Sequence, residues 1–152
     1  MKRIRILIVL AAAVSAIAFS QSALHAAGIL PYQDSAAIQF GKRIYDEQCA
    51  SCHGENLEGQ PNWKVANSDG RMPAPPHDAT GHSWHHADTQ LFLITKYGTE
   101  ALVGGTYKSD MKGFGDVLSD AQILAVLAYI KSTWPKRVAD RHTEISEAAA
   151  GN

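Results

Sequence analysis

Cysteine is scarce in this chain, with two among 152 residues, Cys49 and Cys52. So low a count argues against a fold stapled by several disulfides and against a zinc site made of four thiolates. A membrane-length apolar run is missing too: Ile6 to Phe19 spans 14 residues, where a bilayer-crossing helix needs about 20. No segment alternates apolar and polar residues as a half-buried strand would, and no internal repeat recurs. Nor is there an excess of positive charge, since 14 Lys and Arg stand against 15 Asp and Glu. A basic surface for nucleic acid is therefore not expected.

What remains suits one compact domain, 45% hydrophobic and 19% charged, long enough to bury a modest core. The first 27 residues read as a secretory signal peptide: a basic start (Lys2, Arg3, Arg5), the apolar run, then small residues for a peptidase. The tripeptide Leu24-His25-Ala26 fits the small-x-small rule poorly, so cleavage is expected somewhere from Ser22 to Ala27. Losing the leader removes three basic residues and no acid, which leaves 11 against 15 and a net charge of −4. Export to the bacterial periplasm is the expected location, with tethering to the inner membrane if the leader stays.

Residues 28 to 34 read as a flexible lead-in. Then Ile38, Gly41, Tyr45, Cys49 and Cys52 follow at spacings of 3, 4, 4 and 3, one face of a helix capped by Asp34 or Ser35. A glycine inside that seam implies the close approach of another backbone. From Gly54 to His86 the residues are Gly, Pro, Asn, Asp and His without a period, a long loop that needs something to wrap. "DTQLFLITKYG" predicts a short helix with Leu91, Phe92, Ile94 and Thr95 inward and Gly98 as its stop. After a second glycine-rich loop, Ser119 and Gln122 form a capping box, and Ile123, Val126, Leu127 and Ile130 form an apolar stripe that Pro135 ends. Residues 136 to 152 read as a polar C-terminal tail, frayed or lying on the surface, and the Lys and Arg positions read as solvated. Three helices and two long loops offer little apolar surface for a core of the usual kind; a large apolar cofactor would supply its centre.

Three chemistries compete for "CASCH". A thioredoxin-like redox pair belongs at a strand-to-helix junction, and no strand pattern precedes Cys49. Structural zinc would need a second ligand pair, which His82 with His85 or His86 could supply. Haem attachment accounts for all five residues: sulfurs at i and i+3 point one way toward two vinyl groups, and the next residue, His53, turns beneath the iron. In bacteria such attachment follows export, in agreement with the leader.

Together "GKRIYDEQCASCHG", "MPAPPHDATGHSWHH" and "YKSDMKGFGDVLSDAQILAVLAYIKSTWP" resemble a class I cytochrome c, over roughly residues 35 to 135. The resemblance implies an all-α fold of about three main helices with long loops wrapped around one covalently bound haem c. Its thioether anchors would be Cys49 and Cys52, its proximal ligand His53, and its distal ligand Met111, eight residues before the Ser119 cap. The family usually has proline after this methionine; here Lys112 stands there, which implies a more mobile loop and a more labile iron–sulfur bond. Met72 is the competitor, in "RMP", but no amphipathic helix follows it and its expected role is core filling. The resemblance also implies that Gly41 meets Tyr129 or its neighbours and that a carbonyl within Met72 to Pro76 orients His53. Trp84 and Tyr97 are candidates for the haem propionates, with Arg71 offsetting their charge.

The expected function is one-electron transfer between ferric and ferrous iron, by a carrier and not an enzyme. Its partners would be redox proteins such as a membrane oxidase, reductase or dehydrogenase, with membrane contact only through them or through an uncleaved leader. Two alternatives stand beside it: a haem-based ligand-binding or peroxidase-like module, if Met111 is labile, and a copper- or zinc-binding protein using His77, His82, His85 and His86, which otherwise read as a solvated loop.

Overall fold

A computed structural model describes residues 28–151; the expected leader lies outside the described residues. Within them the chain is all-α, with one isolated antiparallel bridge, Gly98 to Lys112, and no strand. Helix α1 spans Ser35–Gln48, α2 Ala50–His53, α3 Asp88–Tyr97, α4 Thr99–Val103, α5 Asp120–Ser132 and α6 Lys136–Ala150, with a single 3₁₀ turn at Ser83–His85.

Local signals account for the helix ends. The Asp34 carboxylate accepts from the backbone N–H groups of Ala36 (2.8 Å) and Ala37 (3.2 Å) and so starts α1. Ser119 and Gln122 close the capping box on α5. Gly98, at φ 84°, ends α3 in a conformation that a side chain would strain.

Helices α1 and α5 pack most closely. At their crossing Gly41 lies against the Ala125 carbonyl and Tyr129 Cβ, where any side chain on Gly41 would overlap the α5 backbone. The glycine in the α1 seam thus has the close approach that the sequence implied. Ile44 and Tyr45 of α1 join Leu91 of α3 and Ile123, Val126, Leu127 and Ile130 of α5 in one core, which Leu57, Leu118 and Trp134 extend.

Three expectations are corrected here. Residues 136 to 150 are not a frayed tail but α6, which buries Val138, Ala139, His142 and Ser146 on one face. Pro135 both ends α5 and opens α6, because a fixed φ and a missing N–H suit a helix start as well as they forbid a helix interior. The lead-in is pinned, not loose: Leu30 is buried, and the N–H groups of Ile29 (2.9 Å) and Leu30 (3.4 Å) donate to Asp88 Oδ2. Lys131 is not solvated either but fully buried.

These corrections share one physical cause, a buried ionic cluster. Asp88 Oδ1 lies 4.0 Å from Lys131 Nζ and 3.4 Å from His142 Nδ1. Lys131 donates to Thr143 Oγ1 (3.0 Å) and sits 4.3 Å from the centre of the Tyr32 ring. Burial, helped by the Lys131 charge, lowers the pKa of His142, so its imidazole is held neutral beside Asp88. A charge so deep is tolerable only with partners. Here the partners come from the lead-in, α3, α5 and α6, which holds those four segments together.

Candidate haem attachment site

The site grows out of the break between α1 and α2. Cys49 sits in that joint; its N–H still bonds the Tyr45 carbonyl (2.9 Å), and its own carbonyl accepts from Cys52 (3.1 Å) and His53 (2.9 Å). One turn of helix therefore sets the geometry from Cys49 to His53, and Gly54 at φ 83° ends it. Neither cysteine is in a disulfide; Cys49 is half-buried and Cys52 exposed. Burial, with Cys52 adding, pushes the Cys49 thiol up to about 11. A redox-active nucleophile has its pKa lowered, so this environment is the opposite of what a thioredoxin-like pair needs.

His53 is 7% exposed, and its Nδ1–H points at the Pro75 carbonyl, 2.8 Å away. This bond selects the tautomer that leaves the Nε2 lone pair free for a metal. Burial lowers the pKa of His53 against the opposing effect of that carbonyl, which favours the neutral, ligating form. The orienting carbonyl falls within the Met72 to Pro76 window.

The loop that carries Pro75 is long but tied down. Gly59 N–H bonds the His53 carbonyl (2.7 Å), Gln60 N–H the Ala74 carbonyl (2.8 Å), and His77 N–H the Leu57 carbonyl (2.8 Å). Gly59 and Gly81 pass so close to the backbone of Pro75 and Pro76 that a side chain on either would overlap it. The Trp134 indole N–H then fastens the loop to the end of α5 through the His77 carbonyl (2.7 Å).

Met111 lies half-buried on the segment that crosses the C-terminal end of α3. Its N–H bonds Ser109 Oγ (3.0 Å), and its carbonyl accepts from Thr99 (3.3 Å). Phe114 and Gly115 donate to the carbonyls of Thr95 and Lys96, both at 2.9 Å, and hold the following residues down. Met72 is 39% exposed, which corrects its expected place in the core. An ion pair between Arg71 Nε and Asp110 Oδ1 (3.1 Å) joins the residue before Met72 to the residue before Met111.

The donor set fits a haem: a neutral imidazole with Nε2 free and two cysteine sulfurs, in no disulfide, one helical turn apart. The Trp84 indole N–H, buried without an acceptor, lines a cavity with Ala79, Pro135 and Val138 at the start of α6. Tyr97 is 53% exposed and Arg71 is engaged with Asp110.

The four histidines of the loop do not converge. His77 stacks on His53, His82 on Trp63, and His85 on Trp84, while His86 meets His82 edge-on. Among the described residues no group of three or more His, Cys, Asp or Glu side chains is placed to hold a metal ion. Sequence reasoning missed the contact between His77 and His53, because two histidines 24 residues apart show no pattern that pairs them.

A family model for cytochrome c matches residues 38–134. The chain belongs to the cytochrome c family. Members carry haem c bound covalently to the chain, and the all-α architecture is that of the family. The cytochrome is 62% identical over 97 residues to the cbb3-type cytochrome c oxidase subunit CcoP of Azospirillum brasilense, covering 64% of this chain and 28% of that subunit. It is 27% identical over 103 residues to the subunit FixP of Sinorhizobium medicae (strain WSM419), covering 67% and 32%. The cytochrome thus matches about a third of the length of these relatives or less. No solved structure is significantly similar. Among the described residues no helix is long and apolar enough to cross a membrane.

Proposed function

We propose that this cytochrome carries one electron at a time in the bacterial periplasm, on a single haem c held by thioethers to Cys49 and Cys52. His53, through Nε2, and Met111, through its sulfur, would hold the iron. With both positions filled no site is open to a substrate, so the protein is a carrier and not itself an enzyme. The carrying observation is His53, buried at the end of "CASCH" with its Nδ1–H committed to the Pro75 carbonyl and its Nε2 free. When bound, the haem supplies the redox couple, and thioether sulfur opposite imidazole favours the ferrous state. The chain's residues supply attachment, orientation and burial. Electrons pass from this haem to a membrane oxidase; the naming of both relatives as cbb3-type oxidase subunits supports an oxidase as the partner.

The test is expression of the precursor in a host that attaches haem c, followed by a haem stain after denaturing electrophoresis and an intact mass. One haem per chain is expected, lost when Cys49 and Cys52 are both changed to Ser. An exported, folded product without haem would overturn the proposal.

A further inference from the structure

The His77 ring lies flat on the His53 ring, with centroids 3.8 Å apart and planes 15° from parallel. Behind it stands Tyr45, edge-on at 5.9 Å, whose hydroxyl donates to the Gly54 carbonyl (2.9 Å). The His77 backbone is held on both sides, its N–H by Leu57 (2.8 Å) and its carbonyl by the Trp134 indole (2.7 Å). Of its ring nitrogens, Nδ1 is buried and has no hydrogen-bond partner. What this imidazole offers its surroundings is a flat face, rigidly mounted.

A hydrogen bond at one ring atom tolerates a wide range of angles, and the torsion that turns a histidine ring is soft. The bond from His53 Nδ1 to Pro75 therefore fixes one point of the ring better than it fixes the plane. A second ring stacked on the face resists rocking in the direction that the bond leaves free. We propose that His77 is a positioning residue, which sets the plane of the His53 imidazole by stacking on it and so sets the orientation that the axial ligand presents to the iron. The inference rests on the reading of His53 as proximal ligand. The orientation matters to an electron carrier because the plane of an axial imidazole determines how the unpaired electron of ferric iron is distributed over the porphyrin.

The experiment compares the haem-loaded wild type with His77→Leu and His77→Phe. Haem stoichiometry is scored first on the same samples, so loss of the haem reading itself is recognised separately. The readouts are the ferric electron paramagnetic resonance g values and the order of the haem-methyl proton shifts, both sensitive to the axial imidazole plane. His77→Leu should shift the g values and reorder the methyl resonances with haem still attached, and His77→Phe, which keeps a flat face, should restore the wild-type pattern. A wild-type pattern in His77→Leu would overturn the proposal, as would equal displacement in both variants. If neither variant folds, the wild type still decides: proton–proton cross-relaxation between the two rings is expected in the diamagnetic ferrous state, and its absence would overturn the stacking.

Discussion

Met111 depends on few local supports: its N–H on Ser109, its carbonyl on Thr99, and beyond them the ion pair of Asp110 with Arg71. That pair is exposed, and such pairs contribute only about 0–1 kcal/mol. Lys112, where the family usually has proline, does not fix φ as proline would, and its place is held by the bridge to Gly98. Met111→Ala is expected to open the distal position and lower the reduction potential, seen as carbon monoxide binding to the ferrous form where the wild type binds little. Unchanged carbon monoxide affinity and potential would remove Met111 from the role. Met72→Ala should change neither, since Met72 sits partly in solvent. At Cys49 and Cys52 the expected outcome is graded: Cys52→Ala should leave one thioether and a haem that partly dissociates on denaturation, scored by the same stain. Full retention would show that the second bond is not made.

Among the elements, the crossing of α1 and α5 is the most constrained contact. Gly41→Ala must drive the Ala125 carbonyl and Tyr129 away, and overpacking of this kind costs about 1–3 kcal/mol. A matching fall in unfolding free energy, measured by denaturant titration, is expected with helix content retained; an unchanged midpoint would mean that the helices separate there at no cost. This crossing was legible in the sequence, since a glycine within an apolar helical seam weakens its helix and is offset when another backbone packs against it. Helix α6 was not. Its inward face consists of Val138, Ala139, His142 and Ser146, which share one side of a helix, but half of them are polar. Apolar periodicity cannot reveal a face whose burial rests on hydrogen bonds, such as that from the Asp88 N–H to Ser146 Oγ (3.0 Å). The short α4 was hidden for a related reason: five residues between glycines are too few to show a period.

Across the whole molecule the buried cluster of Asp88, Lys131 and His142 makes stability depend on pH. The pKa of His142 is lower in the fold than in the unfolded chain, chiefly through burial and then through Lys131. The unfolded state therefore takes up the proton first as pH falls. The contribution is fully present above the ordinary histidine range near pH 6.5 and is lost as pH drops below it. Between pH 7.5 and 5 the wild type should lose on the order of 1–2 kcal/mol more unfolding free energy than His142→Phe, measured by denaturant titration at each pH. Parallel curves for the two proteins would show that His142 does not carry the effect.

The sequence by itself determined the features in which cause and effect lie within about one helical turn. These are the run from Cys49 to His53, the caps at Asp34 and Ser119, and the glycine stop at Gly98. Each is a bond or a spacing between residues at most four apart, so the residue types alone carry the information. Only the tertiary structure decided which loop carbonyl orients His53, that His77 lies on its face, and that Asp88 meets Lys131 and His142 from two other helices. Those contacts join residues between 22 and 54 positions apart. A lone histidine or lysine looks the same in sequence whether it faces water or a buried partner; the path of the backbone decides which.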